Sequence, residues 1–109
     1  MRAAVATAFI ASAAILVFAT PARADRIDGN WCYQDRHMSI DGPKIITPGG
    51  TKMKGLYDRH GFQYTVPSGE PDAGAQVNMV QFNEQTIQVM TVKDGASRVE
   101  IWNRCDLTT

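Results

Sequence analysis

Ile101-Trp102-Asn103-Arg104-Cys105, near the end of the chain, answers Gly29-Asn30-Trp31-Cys32 near its expected mature start. Each stretch carries one of the two tryptophans and one of the only two cysteines. A redox or metal-binding cysteine pair wants the close Cys-x-x-Cys spacing that this chain lacks. Pairing of Cys32 with Cys105 is the expected alternative, since small exported domains need staples and their compartments oxidise thiols. Such a bond closes nearly the whole mature chain into one loop, worth roughly 4 kcal/mol in the chain-entropy account. The first and last strands are then neighbours, and what lies between them must form a nearly closed object.

Working inward from the two ends, turn chemistry recurs about every 8 to 12 residues, with no sustained 3.6-residue apolar repeat, the pattern of an all-β barrel or sandwich. Strands are expected at 29–34, 36–40, 44–47 and 53–57. Phe62, Tyr64 and Val66 alternate with polar residues as in a half-buried strand. The breaker-rich 67–74 segment is an exposed loop. Two long strands, 76–82 and 86–92, each show a slip in alternation, from Val77 and Met79 to Val80 and Phe82 and from Ile87 and Val89 to Met90 and Val92. Facing slips predict paired bulges or strands buried on both sides. Asp94-Gly95 is a type I′ hairpin signal leading into a last strand at 97–105. The expected fold is a small antiparallel meander barrel of six to eight strands, with a two-sheet sandwich as the alternative. Closure removes the exposed edges an open sheet would carry.

Residues 1–24 read as a secretory signal peptide: Arg2, an Ala-rich apolar run from Ala3 to Ala19, Pro21 and the small-x-small site Ala22-Arg23-Ala24. Export to the periplasm or exterior is expected, with no membrane span after cleavage. Residues 25–109 form one domain, in which 30 of 85 residues are apolar, enough for a single small core. Without Arg2 and Arg23, nine Lys and Arg face 11 Asp and Glu, a net of −2 with the signs interspersed. This supplies neither a basic stripe for nucleic acid nor a polybasic membrane patch.

Gly29-x-Trp31 on the first strand with Arg104 on the last resembles the signature of lipocalin-like barrels, the calycins. The resemblance implies that Arg104 packs over Trp31, by cation–π stacking and bonding to backbone carbonyls. It also implies a small apolar ligand, although a barrel much shorter than a lipocalin fills its interior with side chains. The size and end-to-end cysteines are similar to those of small bacterial periplasmic lysozyme inhibitors. The Ser-Gly-x-x-Tyr loop of that family is not matched, since Ser68-Gly69-Glu70 lacks the tyrosine. More broadly, the chain resembles short exported bacterial proteins.

The remaining residues point to binding rather than catalysis. His37 and His60 with Asp35, Asp41, Asp58 or Glu70 do not have a spacing that forces a metal site, so no metal and no cofactor is expected. There is no Gly-x-Ser-x-Gly elbow, no phosphate-cradling loop, and a disulfide would remove both thiols. Most aromatics are expected in the core. Gly29, Trp31, Trp102 and Arg104 are the expected structural clasp; were the tryptophan face outside, it would be a partner patch. The candidate contact loops are Asp58, Arg59 and His60 in one turn and Ser68, Glu70 and Asp72 in the long loop, because loops on a rigid scaffold carry recognition. The expected function is an exported, non-enzymatic binding or inhibitor module of the bacterial envelope, acting on another envelope protein. A small-ligand or metal carrier is the alternative and a hydrolase the third reading.

Overall fold

A computed structural model describes residues 26–105; the expected leader, residues 1–24, lies outside them. The described residues form nine strands and no helix: β1 (Gly29–Tyr33), β2 (Arg36–Asp41), β3 (Lys44–Ile46), β4 (Lys52–Lys54), β5 (Leu56–Asp58), β6 (Gly61–Thr65), β7 (Gln76–Asn83), β8 (Thr86–Lys93) and β9 (Ala96–Arg104). They make one sheet in the order β4-β3-β2-β1-β9-β8-β7-β6-β5, with every neighbouring pair antiparallel. The first and last strands are joined in the middle of that order, Trp31 opposite Arg104 and Cys32 opposite Asn103. One continuous sheet rules out the two-sheet sandwich.

The two edges of the sheet, β4 and β5, are consecutive in the chain and separated only by Gly55. The backbone itself therefore carries the sheet across its gap and makes a nearly closed barrel. Gly55 N–H donates to the Pro43 carbonyl at 2.9 Å, one step beyond the Lys44–Lys54 pair that ends the β3–β4 ladder. A Cβ at this position would lie 2.4 Å from the Gln63 carbonyl oxygen and 2.5 Å from the Phe62 ring, so only glycine fits. This break divides the single expected strand at 53–57 into two, which is why the strands number nine rather than six to eight.

Two-residue turns join β1 to β2, β2 to β3, β5 to β6, β7 to β8 and β8 to β9. Asp94 and Gly95 have φ of 52° and 82°, the two positive values a type I′ turn requires. The expected pair of facing bulges is instead a single register shift in β7, between Gln81 and Asn83. β8 keeps its alternation, with Ile87, Val89 and Thr91 buried and Met90 and Val92 outward and half-buried. The slips read from its sequence were apolar residues on the outer face.

The barrel interior is filled. Ile27, Trp31, Met38, Ile40, Ile45, Phe62, Ile87 and Trp102 are all at most 1 % exposed, and Tyr64, Val66, Val77, Met79 and Val89 complete one core. Both tryptophans are inside, so they form no external patch. Phe82 is an exception among the aromatics: it shares the outward phase of Val80 on β7 and is 56 % exposed, beside the register shift. Strands in a closed barrel are tilted, and one row of cross-strand partners, Tyr57–Phe62–Met79–Val89–Glu100, climbs from one end of the barrel to the other. The Cys32–Cys105 disulfide is formed, with 5.0 Å between Cα atoms. It fits an oxidising, extracytoplasmic setting.

Candidate functional site

The barrel has two unlike ends. At one, the segment 26–28, the Gly42-Pro43 turn, the 59–60 turn and the 84–85 turn come together; at the other lie the 34–35 and 94–95 turns and the longer loops 47–51 and 66–75.

The first end is shut by Arg104. Its guanidinium carbon stands 4.2 Å from the centroid of the Trp31 ring. Nη1 donates to the Asp28 carbonyl at 2.6 Å, Nη2 to that of Arg26 at 2.7 Å and Nε to that of Glu84 at 2.6 Å. The planar fork thus stacks with one face and binds carbonyls with its edge, which a lysine could not do. Trp31 Nε1 donates to the Ile27 carbonyl at 2.8 Å, and the Ile27 N–H donates to the Arg59 carbonyl at 2.8 Å. Ile27, fully buried, plugs this end. Asp28 accepts from the Tyr57 hydroxyl and from Gly42 N–H at 2.7 Å. Burial raises its carboxyl pKa, but the hydrogen bonds from Tyr57 and from the Gly42 and Asp28 N–H groups, together with the Arg26 charge, outweigh it and hold the group below the ordinary value. Burial and the Asp28 hydrogen bond push the Tyr57 hydroxyl up.

Of the expected clasp, Gly29, Trp31 and Arg104 meet here, while Trp102 does not. The Trp102 ring lies further along the barrel, stacked on Tyr33 with centroids 5.5 Å apart, and Arg36 lies over both rings at 5.1 and 5.2 Å. The candidate contact residues also divide. Asp58, Arg59 and His60 sit at the closed end, Ser68, Glu70 and Asp72 at the open one. The two histidines are kept apart, His37 exposed on β2 and His60 in the 59–60 turn. Among the described residues no three His, Cys, Asp or Glu side chains are grouped to hold a metal.

The open end holds a cleft of about 140 Å³, floored by Met38, Val66, Val77 and Val89 and rimmed by polar groups. Arg36, Arg98 and Glu100 occupy inward strand positions, in phase with Met38 or Trp102. Glu100 accepts from Arg36 at 2.6 Å, from Arg98 at 3.3 Å and from Trp102 Nε1 at 3.1 Å. Arg98 also bonds Asp72 at 3.0 Å, tying the 66–75 loop to β9. Glu70 Oε2 accepts from Thr47 and Thr51, both at 2.5 Å, lashing the two mouth loops to each other. These pairs are worth little individually where exposed, but the Glu100 side chain is only 10 % exposed and depends on its three donors.

Two hydroxyls complete the mouth. Tyr64 and Thr91 line the cleft, and neither has a hydrogen-bond partner among the described residues. Their oxygens are not sealed in; the only sealed, unpartnered side-chain atoms among those residues are the amide atoms of Gln81. Burial, with the Glu70 charge second, pushes the Tyr64 hydroxyl up to about 12, so it is a neutral donor at physiological pH.

Sequence reasoning found Glu70 and Asp72 but missed Arg36, Tyr64, Thr91, Arg98 and Glu100. The signal was present: in β2 and β9 the charged residues Arg36, Arg98 and Glu100 occupy the same phase as the core residues Met38, Ile40 and Trp102. A charge in the buried phase of a strand marks the level at which the barrel opens to water. Compared with known proteins, the chain matches no family model, no curated protein and no solved structure.

Proposed function

We propose that this protein is a non-enzymatic binding or inhibitor module, exported to the periplasm or beyond the cell, which takes its partner at the open mouth of the barrel. The observation that carries this is the contrast between the ends. At the closed end Arg104 satisfies the carbonyls of three segments around it and Ile27 seals the core. At the mouth a domain with one small core leaves two hydroxyls without a hydrogen-bond partner among the described residues and sets three charged side chains on inward strand positions. Burying polar groups costs stability unless they are fully bonded. Their concentration at one end is what a recognition surface would require.

The packing of Gly29, Trp31 and Arg104 supports kinship with lipocalin-like barrels, but the filled interior leaves no lipocalin-type chamber for an apolar ligand. The carrier reading is therefore the weaker one. Both thiols are bonded, which removes cysteine as a nucleophile. A photo-crosslinking side chain placed at Ser68 in the mouth loop, and separately at Arg59 at the closed end, tests the assignment in envelope extract. Capture of one partner from Ser68 and not from Arg59 is expected. Equal capture from both, capture from Arg59 alone, or none from either would overturn it.

A further inference from the structure

We infer that the mouth cleft receives a single neutral, hydroxyl-rich ring, one residue of a saccharide, held by Tyr64, Thr91, Arg36 and Asp72. This deepens the binding reading of the mouth and rests on it.

The charges on the rim decide the chemical class. Arg36 and Arg98 are balanced by Glu100 and Asp72 in one ion-paired chain, and Glu70 stands beside them. An entering anion would meet three carboxylates at close range, and an entering cation two guanidinium groups. Either would pay desolvation without a clear field to repay it. A neutral group escapes both penalties.

The hydrogen-bonding capacity left over points to hydroxyls. Arg36 uses Nη2 for Glu100, leaving Nε and Nη1 as donors; Arg98 uses Nη2 for Asp72 Oδ2, leaving Oδ1 as an acceptor. Tyr64 and Thr91 each offer a hydroxyl that can donate and accept. The rim thus presents donors, acceptors and two groups that are both, converging on a space whose floor is apolar. A sugar ring has that complement: hydroxyls around its edge that both donate and accept, and C–H faces that suit Met38, Val66, Val77 and Val89. At about 140 Å³ the cleft is close to the roughly 150 Å³ cavity that holds benzene, so a sugar ring, which is larger, seats one face and edge in it and leaves its remaining hydroxyls in the solvent-open mouth. Pro48 and Gly49 of one mouth loop and Glu70, Pro71 and Asp72 of the other border the cleft, so a longer chain could extend outward over them while its terminal ring occupies the mouth.

Titration of the ¹⁵N-labelled, disulfide-bonded protein tests this, with glucose, galactose, N-acetylglucosamine and their short oligomers as probes. Acetate, phosphate and ethylguanidinium serve as charged comparators. At least one saccharide is expected to shift the amide signals of Tyr64, Thr91 and Asp72 at concentrations where the comparators leave them unmoved. Tyr64→Phe and Thr91→Val, whose spectra report retained fold, should each weaken that saccharide by several-fold to about tenfold, the loss of one neutral hydrogen bond. The inference falls if no saccharide moves these signals, if a charged comparator moves them first, or if both variants bind as tightly as the parent. Should saccharides fail while Ser68 still captures a partner and Arg59 does not, the mouth remains the binding end and only the saccharide is lost. If both experiments fail, both readings fall.

Discussion

Arg104 and Gly29 are made for each other: a Cβ on Gly29 would lie 2.4 Å from the Arg104 Nη1 atom, and Gly29 has a φ of +125° that side chains rarely adopt. The guanidinium reaches the Asp28 carbonyl only because no side chain stands at the next residue. Gly29→Ala is therefore expected to destabilise the protein by about 3 kcal/mol, combining backbone strain with a forced displacement of Arg104. Arg104→Lys, which keeps the charge and loses the fork, should cost about 2 kcal/mol. Urea unfolding followed by tryptophan fluorescence measures both. Because the two residues act on one contact, the double variant should cost less than the sum.

Gly55 makes a different prediction, since no positive φ is involved. Gly55→Ala places a methyl group against the Gln63 carbonyl and the Phe62 ring at the point where the barrel closes. The expected loss is about 2 kcal/mol by overpacking. Hydrogen exchange should speed up most in β4, β5 and β6, the strands that meet there, while β8 and β9 stay protected. Uniform loss of protection would mean that the closure is not a local unit.

The disulfide closes a loop spanning 73 positions in sequence. Its removal in a Cys32→Ser, Cys105→Ser double variant should lower unfolding free energy by about 4 kcal/mol, most of the stability expected for so small a domain. The check is the urea midpoint, with alkylation and mass measurement confirming that the unreduced parent accepts no alkyl group. The interior aromatics remain to be buried without it, so the reduced protein should be far less stable yet keep β structure in the cold.

Tyr64 sets a pH dependence at the alkaline end. Its hydroxyl pKa, about 12 in the folded protein, lies above the ordinary value near 10 of an unfolded tyrosine. The folded state thus holds the proton more tightly, and the stabilisation is complete below pH of about 10 and lost as pH rises through about 12, an effect of about 3 kcal/mol. Absorbance titration at the phenolate band should lose its Tyr64 step, near pH 12, in Tyr64→Phe, while the raised Tyr57 hydroxyl still titrates late. Glu70→Gln removes the charge that adds to the shift, so the late step should move to lower pH while the burial contribution persists. It should also quicken exchange in the 47–51 and 66–75 loops, whose lashing Glu70 provides.

The sequence by itself determined the all-β class, the pairing of the first and last strands, the disulfide and the position of Arg104 over Trp31. The class follows from local rules, turn residues at short intervals, alternation in strands such as Phe62-Gln63-Tyr64 and a positive-φ pair at Asp94-Gly95; the staple follows from two cysteines with only each other to bond, and the Arg104–Trp31 contact was what the resemblance of Gly29-x-Trp31 and Arg104 to lipocalin-like barrels implied. Three things were decided by tertiary structure. Gly55 splits a strand because of what stands across from it, the Gln63 carbonyl and the Phe62 ring, and no neighbour in sequence announces that contact. Phe82 faces out and the apolar slips in β7 and β8 are no slips at all, because both strands keep their alternation and carry Val80, Phe82, Met90 and Val92 on the outer face, which the pairing with neighbouring strands decides. The mouth was the largest omission. Arg36, Tyr64, Thr91 and Glu100 come from four strands and converge only when the sheet closes and its strands tilt, so that a row beginning at Tyr57 in the closed end arrives at Glu100 in the open one. Alternation along one strand says which residues point inward. Which level of the barrel is sealed and which is open to a partner depends on how all the strands are staggered.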